Sequence, residues 1–541
     1  MNIGINFKRF AAAPTALLIV ALAACAASFE PRTANAMSPS DTWPPPWQDV
    51  ATPPGADFTP PRFEPPSASH CQRPPWTREV SGLGFGQNAA GWRSRREYDT
   101  SARAAAGALE ARAAPDSRAD AAADKATSIT AARRETAGTA TAALAAAPTA
   151  LAVPWPPASE QLRPQTPPQA APQSQAQLQA QRPATPVVTA GVVDDNADFG
   201  EYLAYRQRNA SRPVRERDIS ERYRLEVTDA QGRAVHDAEV AVQRAGVAAP
   251  VMWARTDTAG RVWLHPRAFL APGFEAERVL GVAVRKGGLQ ARATLLRGQA
   301  QAVQVRLGAV VNAVTGAVTD SAQRPRLDLV FMVDATGSMG DEIDKLKASM
   351  RAMAQQIAQL PGQPDICFAL VAYRDRGDAF LTRTHDFTND LGAFQGLLAR
   401  VHALGGGDTP EALNEALHEV VHGLSWRTEA ARMVVLVADA PPHLDYGGPQ
   451  YDVDMQAALA KGIKVFAVGA SGLDPVGEYI FRQIAQYTAG RFVFLTYQDA
   501  MNPASGAGTQ TVHDVKNYSV QTLDRLVVRL VREELARLTR S

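Results

Sequence analysis

Cysteine is scarce in this chain. Cys25, Cys71 and Cys367 are the only three in 541 residues, which leaves no disulfide framework of the kind that staples small exported domains. Cys25 lies in an amino-terminal leader, Cys71 in a Pro-rich stretch, and Cys367 in an apolar run that reads as a core strand. An excess of one charge is missing too. Lys plus Arg total 56 and Asp plus Glu 55, a net charge of +1, so the basic surplus of a nucleic-acid binder is absent. No apolar run reaches the roughly 20 residues of a comfortable membrane-spanning helix. No P-loop and no GxSxG element stands out, which removes the common signatures of nucleotide hydrolysis and serine hydrolysis.

What is present begins with a leader. Lys8 and Arg9 precede a short apolar segment, Ala11 to Ala24, the anatomy of a secretory signal, expected to cover residues 1–36. Two cleavage sites compete. Leu22-Ala23-Ala24-Cys25 resembles a bacterial lipobox, which would acylate Cys25; Ala34-Asn35-Ala36 fits an ordinary A-x-A site. Glu30 and Arg32 put charge between the apolar segment and the second site, which weighs for the lipobox. The expectation is export to the cell envelope as an outer-membrane lipoprotein, tethered to the membrane by its lipid. The alternative is free secretion.

From 37 to 200 the sequence is dominated by Pro, Ala, Gln, Ser and Arg. Large apolar residues are too sparse to offset chain entropy, so a long disordered tether is expected. From 221 to 308 the texture changes to short alternating strands with turns at Asp229-Ala230-Gln231-Gly232 and Asp257-Thr258-Ala259-Gly260. Such punctuation indicates a small all-β sandwich. The paired turns, TDAQGRAV and TDTAGRV, resemble the carboxypeptidase regulatory-like or prealbumin-like modules, which act as spacers or stabilising partners.

From 325 to 540 strands and helices alternate. Strands are expected at 327–334, 365–373, 431–439, 463–470 and 491–497, with helices at 341–360, 410–424, 453–461, 476–488 and 519–538. This alternation specifies a doubly wound, mainly parallel α/β sheet, whose ligand site lies at the carboxyl ends of its strands. Three oxygen-rich segments reach that edge. VDATGSMG carries Asp334, Thr336 and Ser338; GGGDTPEAL carries Thr409; VVLVADAPPH carries Asp439.

Asp334-x-Thr336-x-Ser338, then Thr409, then Asp439, resembles the metal-ion-dependent adhesion site of the von Willebrand factor A family. The family more often has Ser where Thr336 stands, and either hydroxyl serves. The resemblance implies a Rossmann-like domain over 325–540 that binds a protein partner through a divalent cation and performs no catalysis. Oxygen-only donors suit Mg²⁺, with Mn²⁺ or Ca²⁺ as alternatives. Neutral hydroxyls leave the cation attractive to an acidic side chain of the partner, which would complete its shell. Asp341 and Glu342 read as structural, since acids suit the first turn of a helix. Tyr373, Arg374 and Asp375 are expected at the rim. The DATGSMG wording also resembles A domains joined to alpha-kinases, although no kinase domain is visible.

Two other readings have residues behind them. His418-Glu419-Val420-Val421-His422 is a literal HExxH, the pattern of zinc proteases. Against it, the helix already has an apolar stripe (Leu413, Ala416, Leu417, Val420, Val421, Leu424), which leaves Glu411, Glu415, His418 and His422 toward the wetter face. No third His follows at metzincin spacing, and Glu429 is the third ligand on offer. A haloacid-dehalogenase-like nucleophile at Asp334 lacks its second acid, because Thr336 stands there. The third reading keeps the metal but makes it a purely structural staple of an envelope protein. Arg376-Gly377-Asp378 spells an integrin-type tripeptide and reads as a turn after the second strand.

Overall fold

The computed structural model describes residues 48–49, 71, 75–83, 187–269, 277–299, 302–308, 324–407, 409–445 and 447–538. The expected leader, with Cys25, and most of the expected tether lie outside these residues. Among the described residues no helix is long and apolar enough to cross a membrane.

The strands, in chain order, begin with β1 (Gln48–Asp49), β2 (Thr77–Val80) and β3 (Thr189–Val193), which helix α1 (Phe199–Arg208) follows. Next come β4 (Tyr223–Thr228), β5 (Glu239–Arg244), β6 (Met252–Arg255), β7 (Arg261–Leu264), the short α2 (Pro266–Phe269), β8 (Val279–Lys286), β9 (Leu289–Leu296) and β10 (Val303–Arg306). The carboxyl-terminal part holds β11 (Arg326–Asp334), α3 (Ile343–Ala358), β12 (Asp365–Tyr373), β13 (Thr382–Thr388), α4 (Leu391–Ala399) and α5 (Leu413–His418). A single π-helical turn, Glu419–Gly423, extends α5. Then follow β14 (Ala430–Ala438), α6 (Tyr451–Ala460), β15 (Ile463–Gly469), α7 (Pro475–Tyr487), β16 (Phe492–Asp499), β17 (Asn502–Ala507), β18 (Ser519–Thr522) and α8 (Leu523–Leu538).

The large sheet runs β18-β3-β16-β15-β14-β11-β12-β13-β2, with β17 paired to β16. Its central five strands, β16 to β12, are parallel, and β13, β2 and β3 add antiparallel edges. Each central strand is apolar throughout because it serves two faces. In β11, Leu327, Leu329, Phe331 and Val333 join the core under α3, α4 and α8. Val330 and Met332, alternating with them, join the core under α5, α6 and α7. The period of two along a strand makes this division unavoidable.

The five expected strands of this region are found within a residue or two of their expected ends. The structure departs from expectation at the margins. Thr77–Val80 and Thr189–Val193 belong to the stretch expected to be a tether, yet they pair into the large sheet. The composition of a long window conceals β segments of only four and five residues. Cys71 forms a disulfide with Cys367 on β12, Cα atoms 6.1 Å apart, across 296 residues. The three cysteines therefore make no framework, but two of them do make a clasp. Residues 519–522, expected in the last helix, form the edge strand β18 instead.

Residues 223–306 form most of two small sheets, β10-β4-β7 and β1-β9-β8-β5-β6. Both sequence turns work as Asx turns. Asp229 Oδ1 accepts from the Gln231 and Arg233 amides, and Asp257 Oδ1 does the same for Ala259 and Arg261. These sheets dock on the amino edge of the large one. Arg432, near the start of β14, donates to both carboxylate oxygens of Asp237 at 2.8 and 3.1 Å. Lys464, near the start of β15, donates to Asp257 (3.1 Å) and Glu534 (2.9 Å), and Thr258 donates to Glu534 at 2.7 Å. The apolar core on the α5–α7 face continues into the small sheets, with His265 and Phe269 packed on Tyr487 of α7.

Two predictions follow from this docking. Asp237 is buried, and against the pull of burial the Arg432 and Arg255 guanidiniums hold its carboxyl far below the usual range. Its contribution is therefore present above the ordinary carboxylate value and lost as pH falls through the lower folded value. Asp237→Ala, which strands a buried Arg432, is expected to cost about 3–5 kcal/mol in urea unfolding at pH 7. Cys71→Ser should lower stability by roughly 2–4 kcal/mol in the same assay, with the reductant effect seen in the parent absent from the variant.

Candidate metal centre

β11 and β14 are adjacent and parallel, with Val333 opposite Val437. Asp334 ends the first, and Asp439 comes one residue after the second ends. The register thus brings two carboxylates to neighbouring positions at the carboxyl edge. Asp334 is fully buried, Asp439 nearly so.

The turn after β11 is organised by Asp334 itself. Its Oδ1 accepts from the Thr336 amide (3.0 Å) and the Thr336 hydroxyl (2.6 Å). The Ser338 hydroxyl lies 3.0 Å from that of Thr336 and is exposed. The turn is laced to its neighbours through the backbone. The Leu404 amide donates to Ala335 O, and the Gly337 amide to Gly405 O. Glu411 donates from its amide to Pro441 O, and its carbonyl accepts from the His443 amide. Gly405 is needed where it stands: its φ is +79°, and a Cβ would lie 2.2 Å from the Asp378 carboxylate.

Four acid oxygens at this edge are buried without a hydrogen-bond partner: Asp334 Oδ2, Asp439 Oδ1, Glu411 Oε2 and Asp375 Oδ1. Burial, and then the charge of Asp439, lifts Asp334 to about 7. Burial lifts Asp439 to about 6, a hydrogen bond from Ser338 opposing and Glu342 and Asp341 adding. Glu411 rises to about 9, from burial and then from Asp334, Asp375, Asp378 and Asp439. Like charges crowded in a dry site resist ionising together, and unpaired buried acid oxygens are costly. A hard divalent cation is the partner that such a donor set fits.

Of the five expected ligands, Asp334, Thr336 and Ser338 are joined in one hydrogen-bonded chain, and Asp439 follows the end of the neighbouring strand. Thr409 stands apart: it is exposed, and among the described residues it forms no hydrogen bond to the other four. Glu342 is engaged elsewhere, accepting from the Ser471 amide (3.2 Å) and from the Tyr497 hydroxyl, and so is structural. Tyr373, Arg374 and Asp375, expected at the rim, are buried. Arg374 donates to Ala335 O and His402 O, and Asp375 meets His443 at 3.3 Å; they brace the loops from beneath. Arg376 and Asp378 also turn inward. Arg376 pairs with Glu415 at 2.9 Å, and Asp378 accepts from the Gly406 and Asp375 amides.

Glu411 and Glu415 are the residues that sequence reasoning misplaced, since both are buried. A regular helix from 410 would put both on the wetter face. The helix starts only at Leu413, so residues 409–412 follow the loop, and Glu411 turns into the acid cluster. Glu419 is buried as well. Pro410 and Pro441 were the available hint that both segments arrive as fixed loops.

The HExxH pair has a different setting. His418 and His422 share one face, ring centroids 4.4 Å apart, and both meet Asp454 of α6, at 3.1 and 2.9 Å. Glu429, the expected third ligand, pairs with Lys286 instead. Glu419, the base in a zinc protease, is buried and ion-paired with Arg78, so the geometry does not favour proteolysis.

The family model described as von Willebrand factor type A domain matches residues 328–502. Over 119 residues, 22% of this chain and 19% of the relative, the sequence is 30% identical to the "Alpha-protein kinase vwkA" of Dictyostelium discoideum. Over 93 residues, 17% of this chain, it is 38% identical to the human "von Willebrand factor A domain-containing protein 7", of which it covers 10%. The chain thus spans less than a fifth of the length of these relatives. A solved BatB structure from Bacteroides thetaiotaomicron aligns over 40% of this chain and all of its own, at 14% identity and a TM-score of 0.26. Residues 328–502 of this chain match the von Willebrand factor type A domain.

Proposed function

We propose that this protein is a divalent-cation-dependent binding module of the bacterial cell envelope, adhesive or assembly-related, and not an enzyme. The observation that carries the reading is the convergence of buried, unpartnered Asp334 Oδ2 and Asp439 Oδ1 with two hydroxyls at one sheet edge. Asp334, Thr336, Ser338 and Asp439 would hold the ion, directly or through water, and Thr409 would add its hydroxyl from the loop above. Mg²⁺ suits the donors, as do Mn²⁺ and Ca²⁺. The chemistry the ion supplies is an open coordination position for an acidic side chain of the partner protein. Burial and the neighbouring acids lift Glu411 to about 9, so without an ion it adds no further charge to the cluster at neutral pH.

Export is supported by the Cys71–Cys367 bond, because disulfides persist in oxidising compartments. With the leader, this favours the envelope, and Cys25 is the proposed lipid-anchored residue. The two sheets over 223–306, read as a sandwich of the carboxypeptidase regulatory-like kind, serve as a stabilising base.

Asp334→Asn tests the reading with a change that keeps shape and hydrogen bonding. Saturating Mg²⁺ should stabilise the parent by about 2.7 kcal/mol at a hundred times the dissociation constant. The variant should show no such gain. Without metal it should be at least as stable as the parent at pH 7, because it removes one of two repelling buried acids. An equal Mg²⁺ gain in both proteins, read by thermal unfolding, would reject the site.

A further inference from the structure

We infer that His418, His422 and Asp454 form a second metal site, selective for zinc-class transition ions, on the helical layer away from the oxygen cluster. The three ligand atoms all lie within 4.8 Å of one another. Asp454 Oδ1 is the shared point, 3.1 Å from His418 Nδ1 and 2.9 Å from His422 Nε2. With metal–nitrogen and metal–oxygen bonds of about 2.0–2.1 Å, a tetrahedron needs ligand separations of roughly 3.3 Å. Both measured edges need open by only a few tenths of an ångström.

The chain builds this geometry with specific devices. The histidines are four residues apart, one helical turn, so they stack on one face. His422 lies in the π turn Glu419–Gly423, a local departure from α geometry that recurs at functional sites. Asp454 comes from the first turn of α6 and is almost fully buried. The histidine side chains remain about a third exposed, at 32% and 36%, which leaves a face for ion entry and for a water as fourth ligand. The neighbouring Lys461 ammonium is directed to the Val421 carbonyl at 2.7 Å.

The donor types set the selectivity. Two imidazoles and a carboxylate suit Zn²⁺, Co²⁺, Ni²⁺ or Cu²⁺, whereas Mg²⁺ and Ca²⁺ want oxygen alone. The same chain therefore offers two chemically separate cation sites. Because Glu419 is committed to Arg78, the second site lacks an adjacent base. Its effect is to clamp the end of α5 to α6. This inference does not depend on the oxygen cluster's reading.

The test is calorimetric titration of Zn²⁺ into the full chain, stripped by chelator and held in excess Mg²⁺. One Zn²⁺ per chain is expected in the parent and in Asp334→Asn. His422→Ala should weaken it by more than the roughly 10–100-fold that loss of a supporting partner costs at known sites. His422 is partly exposed, so this variant keeps the fold, which circular dichroism without metal checks. Asp454→Asn, with both histidines intact, should lose affinity similarly. Titration with Co²⁺ should give the visible band of a four-coordinate ion in the parent and in Asp334→Asn, and not in His422→Ala or Asp454→Asn. No Zn²⁺ binding by the folded parent, binding unchanged in His422→Ala, or binding lost in Asp334→Asn would each overturn the inference.

Discussion

Two carboxylates at the ends of neighbouring parallel strands resist ionising together in a dry site unless a cation lies between them. That electrostatic constraint organises this structure. Asp334 and Asp439 are brought together by the register of β11 against β14, which the hydrophobic faces fix independently of the acids. The fold forces the conflict, and the loops respond to it. One oxygen of Asp334 is satisfied by Thr336, and the other faces the cluster. Glu411, arriving from a third loop, adds to the crowding and is itself pushed to about 9. A site so arranged is costly when empty of positive charge, and for that reason suits an ion that leaves one position for a partner.

The small sheets lie away from that edge. The small sheets attach at the opposite, amino edge through Asp237 with Arg432 and through Lys464 with Asp257 and Glu534. These are buried pairs, and buried pairs fix geometry more than they add stability. The strand at 77–80 closes one side of the large sheet, and β3 (189–193) with the edge strand β18 closes the other. The Cys71–Cys367 bond ties one of these outlying segments to a central strand. The small sheets thus cover the base of the domain, while residues 80–82 brace the loop after β12 at the carboxyl edge, the Gly377 amide donating to Gly82 O.

Much of this was legible in the sequence. The central strands were readable because strands buried on both faces are continuous apolar runs, and the site residues because they sit where those runs stop. The rule that α/β ligands gather at carboxyl ends placed Asp334, Thr336, Ser338 and Asp439 at this edge; their reading as metal ligands came from the resemblance to the adhesion site. What was not legible depended on contacts between distant segments. Thr77–Val80 has no core of its own and becomes a strand only against β13. Cys71 looked idle until β12 came beside it. Glu411 was misplaced because helical periodicity was extended back through residues that are loop. The partner of the two histidines, Asp454, lies on another helix, 36 and 32 residues away, and spacing along the chain gives no sign of it.

The central claim is that the acid cluster exists to hold a divalent cation. Its most direct test is a crystal structure of the chain grown in Mn²⁺, with the anomalous signal of the ion mapped. The account predicts one strong peak bounded by the oxygens of Asp334, Thr336, Ser338 and Asp439, with at least one coordination position facing solvent. A map showing no Mn²⁺ at this edge, with Asp334 and Asp439 instead hydrogen-bonded to each other through a shared proton, would contradict it.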